Sequence, residues 1–147
     1  MQYRFIGHDT VNFTKENPDY PGITNPFRLY DILSTIWCRE TCAPRMQKDW
    51  NENNITWGQC SITAFLVQDI FGGRVYGVPL SDGSVHCYNE VEGQVFDLTS
   101  EQFLPQILNY ENNPEQFREM HFAKEEKYQR YLLLKQKLNE KLKNNNG

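Results

Sequence analysis

This chain has little of what would place it in a membrane, on a nucleic acid or around a metal. No apolar run approaches the roughly 18 residues needed to cross a bilayer. Acidic side chains outnumber basic ones, 19 to 15, for a net charge of −4. A non-specific nucleic-acid binder carries a clear basic excess, and none builds up before the C-terminal tail. The cysteines Cys38, Cys42, Cys60 and Cys87 come without close-spaced ligand pairs. Cys38 and Cys42, four apart, would share a face of one helix, yet a structural zinc site wants two more well-spaced ligands. A site built from Cys60, His86 and another cysteine is conceivable but lacks the same spacing, so neither metal nor other cofactor is expected. The opening residues lack the charged-then-apolar pattern of a secretion signal, which makes the cytoplasm the expected location and reduced thiols the expected state. No internal repeat is visible.

What is present suits one compact domain over residues 1–147, since 39% of the residues are hydrophobic. Asn25 reads as a helix N-cap with Pro26 in the first turn, and Phe27, Tyr30, Leu33, Ile36 and Trp37 lay out an apolar stripe ending near Cys38. Cys42 to Trp57 reads as an irregular connection broken by Pro44. The stretch WGQCSITAFLVQDIFGG (57–73) then has the apolar spacing of a largely buried helix, closed by Gly72 and Gly73. Arg74–Leu80, Val85–Val91 and Gln94–Thr99 read as strands, with turns at 81–84 and at Glu92-Gly93. Thr99 and Gln102 fit a capping box for a short helix through Leu108. Glu115–Met120 reads as a helical turn, and about 124–143 as an amphipathic helix packed on the domain by its apolar stripe. The class predicted is α+β.

The chemistry gathers around Cys60. On the first turn of a helix its thiol meets unpaired N–H groups and the positive dipole end, which favour the nucleophilic thiolate; the plainer alternative is a small core residue. If Glu92 and Gly93 are the two loop residues of a hairpin, Val91 pairs with Gln94, Tyr88 with Asp97 and His86 with Thr99. His86, Tyr88, Asp97 and Thr99 then share one face, with Asp97 diagonal to His86, while Asn89 falls on the other. Cysteine, histidine and acid in that order supply a nucleophile, a base and a group that orients the base. Asn53, Asn54 or Gln59 could donate to an oxyanion beside the Cys60 N–H, and Gln59 is favoured because it adjoins the nucleophile. Trp57 and Tyr88 are candidates for walls of a substrate cleft.

The segment GQCSITAFLVQDIFGG, followed by His86, Tyr88-Asn89 and FDLTSEQF and preceded by ETCAPRMQKDWNENN, resembles the YunG-like family of small, functionally uncharacterised bacterial proteins. The likeness runs from about Pro26 to Phe103. More loosely, the Cys-His-Asp order is similar to papain-like and transglutaminase-like thiol enzymes. That resemblance implies a papain-like core, with the cysteine helix packed on a small antiparallel sheet that brings His86 back to the helix start. It also implies thiol chemistry without fixing a substrate. The expected activity is a hydrolase or acyltransferase acting on an amide, peptide or thioester bond of a small molecule or peptide, and charge and apolar spacing lead to no nucleic-acid or membrane partner. In the papain pattern the oxyanion glutamine lies several residues before the cysteine, where this chain has Asn53 and Asn54. The alternative is a binding protein that keeps such a fold without turnover.

Overall fold

Asn25 opens the first helix as its place before a proline predicts. Its backbone is extended, and its side-chain oxygen accepts the Arg28 N–H at 2.9 Å. In the computed structural model, which describes residues 2–146, this helix is α1 (Pro26–Leu33). Met1 and Gly147, the ends of the expected domain, lie outside it. The helix stops short of Cys38. Ser34 and Thr35 donate their hydroxyls back to Asp31 O and Ile32 O, which offers the chain an alternative to another turn. Ile36 and Trp37 are buried all the same.

The expected loop contains two short 3-10 turns, Arg39–Thr41 and Pro44–Asp49. Pro44 begins the second of these, since a proline in a first turn has no N–H to lose. Cys38 and Cys42 flank the first turn and do not share a helix face. Two indoles tie the loop to itself, Trp50 Nε1 donating to Ile55 O and Trp57 Nε1 to Met46 O, each at 3.1 Å. Helix α2 (Cys60–Phe71) follows, buried on nearly every side. Gly58 delivers the chain to it with φ 73, a left-handed value at which a Cβ would meet Cys42 Sγ.

A four-stranded antiparallel sheet covers one side of α2. Its strands are β1 (Arg74–Pro79), β2 (Val85–Val91), β3 (Gln94–Phe96) and β4 (Glu115–Gln116), in the order β3-β2-β1-β4. Glu92 and Gly93 both have positive φ, as a two-residue hairpin turn of the primed type requires, and Val91 pairs with Gln94. The last strand of this hairpin ends at Phe96, three residues before the expected Thr99. Asp97 bridges Ile6 instead, and its side chain accepts the Thr99 N–H at 3.1 Å, turning the chain into a 3-10 turn over Ser100–Phe103. The helix expected through Leu108 does not form. Thr99 makes no capping bond, and its hydroxyl is taken by Asp97.

The helical turn expected at Glu115 is also corrected, because Glu115 and Gln116 pair with Tyr76 and Val75 as an edge strand. Helices α3 (Arg118–Phe122) and α4 (Glu125–Asn146) complete the chain. Tyr131, Leu134, Leu138 and Leu142 of α4 join Leu33, Phe65, Leu66 and Val91 in one apolar core. Among the described residues no helix is long and apolar enough to cross a membrane.

Gly58→Ala is expected to lower folding stability by about 2–4 kcal/mol, combining left-handed strain with overpacking against Cys42. A urea denaturation midpoint equal to the parent's would show that the loop relaxes without cost.

Candidate active site

Where β3 stops decides what reaches Cys60. With Val91 and Gln94 closing the hairpin, the backbone groups of Val91, Asn89, Cys87 and Val85 point alternately with those of their neighbours, all toward the β3 edge. That strand pairs only as far as Asn89. Cys60 Sγ sits beside the unpaired remainder, 4.0 Å from Val85 O. Asn89 donates to Ala64 O at 2.9 Å, which puts the Cys87-Asn89 face against α2 and leaves His86 and Tyr88 on the other. Cys60 is partly exposed, whereas Cys87 is buried.

His86 and Asp97 are each only 1% exposed, and Nε2 of the ring donates to Asp97 Oδ2 at 2.6 Å. A carboxylate cannot donate, so this contact assigns the Nε2 proton. Nδ1 is buried and makes no hydrogen bond of normal geometry. The ring packs edge-on against Phe103, 4.7 Å between centroids. Asp97 is held on both oxygens. Oδ1 accepts the Thr99 N–H and hydroxyl at 3.1 and 3.2 Å, and Oδ2 accepts the Tyr110 hydroxyl at 2.7 Å as well as His86.

Electrostatics couple this pair to the thiol. Burial pushes the Cys60 thiol up, but the charge and hydrogen bonding of His86, helped by the Cys87 N–H, outweigh it, and the thiol ionises below its ordinary range. Burial works the other way on His86, where the negative charges of Asp97 and Cys60, with their hydrogen bonds, raise its pKa to about 10. Both shifts run toward the same ion pair, a thiolate beside an imidazolium.

The other predicted residues are distributed differently. Gln59 is fully buried, and its amide nitrogen donates to Cys38 O at 3.0 Å, so that donor is engaged by the backbone. Trp57 is half-buried and anchors the loop. Tyr88 is buried, donating to Tyr110 O at 3.2 Å and accepting from Asn113 at 2.9 Å, which makes it a support under the site. Two residues at the site escaped the sequence reading. Tyr110 lies in an irregular segment with no periodicity to mark it. Gln102 accepts the Gly58 N–H at 3.3 Å and donates to Thr99 O at 2.9 Å, joining the turn after Asp97 to the loop before Cys60. Among the described residues no group of three or more His, Cys, Asp or Glu is arranged to hold a metal ion.

Fold and site together define an α+β protein with a helix-start thiol next to a buried imidazole–carboxylate pair. The family profile described as YunG protein matches residues 25–143, and the chain belongs to that family. It is 37% identical over 99 residues, 67% of this chain and 80% of the relative, to the uncharacterized protein YunG of Bacillus subtilis (strain 168). No solved structure matches, and the comparisons lend no support to the looser likeness to papain-like or transglutaminase-like enzymes.

Asp97→Asn removes the charge that holds the His86 proton. The His86 titration followed by NMR is expected to fall from about 10 by roughly two units or more. An unchanged midpoint would mean that another group raises it.

Proposed function

We propose that this protein is a cysteine-dependent hydrolase or acyltransferase acting on an amide, peptide or thioester bond, papain-like in the arrangement of its groups. One observation carries the reading. The short bond from His86 Nε2 to Asp97 leaves Nδ1 as the ring atom free for proton transfer, beside a thiol that this ring helps to ionise.

The Cys60 thiolate attacks the acyl carbon, and the carbonyl π electrons move to oxygen. The first-turn N–H groups of α2, Cys60's own among them, have no intrahelical acceptor and stand nearest the developing oxyanion. They take the part first assigned to Gln59, whose amide is engaged by Cys38. As the tetrahedral species collapses, the bond to the leaving group breaks and Nδ1–H of His86 protonates that group. This leaves a Cys60 thioester and a neutral ring. Water or an amine then attacks the thioester, Nδ1 takes its proton, and the C–S bond breaks to restore thiolate and imidazolium. Asp97 keeps Nε2–H and holds the imidazolium each time it forms.

The directions of the two shifts fix the pH window. Activity is expected to fade in acid as the Cys60 thiolate is protonated, and in alkali as His86 loses its proton near 10. The test is acylation by p-nitrophenyl acetate with mass mapping of the acetyl group. A burst of nitrophenol with acetyl on Cys60 is expected, slowed about 10²–10⁴-fold in His86→Ala. Equal acetylation of the parent and Cys60→Ser would remove Cys60 from the chemistry.

A further inference from the structure

Residues 104–114, between the last 3-10 turn and β4, form no helix or strand, and Leu104 and Ile107 on this segment are 45% and 69% exposed. Apolar burial therefore does little to fix it. Tyr110 supplies the anchor. Its ring meets Tyr88 edge-on at 4.9 Å, its carbonyl accepts the Tyr88 hydroxyl, and Asn113 bonds both that hydroxyl and Asn109 O at 2.9 Å. Tyr88 stands two residues from His86 on β2, so the segment is fastened to the strand that carries the base.

The Tyr110 hydroxyl goes to the oxygen of Asp97 that also holds His86. Thr99 fixes only the other oxygen. Tyr110 also lines a cavity of about 230 Å³, walled further by Phe5, Ile6, Ser100 and Ile107. Among the described residues no further side chain donates to Oδ2, so without the Tyr110 hydroxyl this oxygen keeps His86 alone.

We propose that Tyr110 is a positioning residue for the candidate site: its hydroxyl locks the Asp97 carboxylate in the orientation that aims His86 Nδ1 at Cys60. The proposal rests on the thiol reading above and adds a residue to it. Burial and Asp97 both raise the Tyr110 phenol's pKa, so it remains a donor through the working range. The titratable groups within electrostatic reach of the site are Cys60 from α2, Tyr88 and Cys87 from β2, Lys127 from α4, and Tyr110 itself.

The test is the pH dependence of Cys60 alkylation by iodoacetamide in the parent and in Tyr110→Phe, which keeps the ring packing. Loosening the imidazolium should move the acid limb up by about one pH unit, a roughly tenfold slower reaction in acid, beyond any loss of thermal stability from removing one donor to a buried carboxylate. A profile that overlays the parent's in the folded variant overturns the proposal, because a merely structural tyrosine would alter stability and leave the limb in place. Should Tyr110→Phe fail to fold, the parent alone decides. The ring carbon bearing the Tyr110 hydroxyl, observed by NMR, is expected to shift at the pH where His86 titrates, and its absence of shift there overturns the coupling. If Cys60 in the parent alkylates no faster than an ordinary thiol, the thiol reading fails separately, while the shared step of Tyr110 and His86 can still be read.

Discussion

The Asp97 carboxylate is out of water, and a charge in that position costs several kcal/mol unless donors meet it. Thr99 N–H, Thr99 hydroxyl, Tyr110 hydroxyl and His86 Nε2 meet it here. Much of the local structure follows from that demand. Because Asp97 takes the N–H of Thr99, the chain turns where a strand would have run on, and β3 ends. Because β3 ends, the edge of β2 opens beside Cys87. The sulfur of Cys60 sits beside that opening, close to the imidazole that Asp97 holds.

The cysteine comes to this place by a separate route that is tied to the first. Gly58 turns the loop in a conformation open to glycine, and its N–H is held by Gln102, which also grips Thr99 O. The acid's turn and the nucleophile's loop are thus joined through one buried carboxamide. Inside α2, Trp37 Nε1 donates to Thr63 Oγ1 at 3.0 Å and Asn89 donates to Ala64 O. These bonds fix the start of the helix against both α1's trailing turn and β2. A thiol that gains its acidity from a neighbour needs such fixed placement, since the effect falls off within a few ångströms.

The residues that could be read in advance were those governed by local rules. A two-residue turn set the β2–β3 register as far as Asn89 and Phe96, period two put His86 and Asn89 on opposite faces, and proline after asparagine opened α1. The apolar stripe of α4 was equally plain. What escaped depended on partners far along the chain. The end of β3 is set by Thr99 and the Ile6 bridge, which no periodicity encodes. Glu115-Gln116 form a strand because β1 offers an edge, and two residues are too few to carry a pattern. Gln59 looked like a free donor beside the nucleophile until folding brought Cys38 O against it. Tyr110 sits among residues of no regular spacing, and its role comes from the carboxylate 13 positions before it.

The central claim is that Cys60 and His86 form a thiolate–imidazolium pair, and ultraviolet absorbance tests it without a substrate. The thiolate band in the parent minus that in Cys60→Ser, followed from acid to alkali, isolates one sulfur among four. The account predicts that the difference band is already present at neutral pH and vanishes only in acid. A band that first rises near the ordinary thiol pKa of about 8.5 would contradict it, leaving a buried His86–Asp97 pair with no ionised partner.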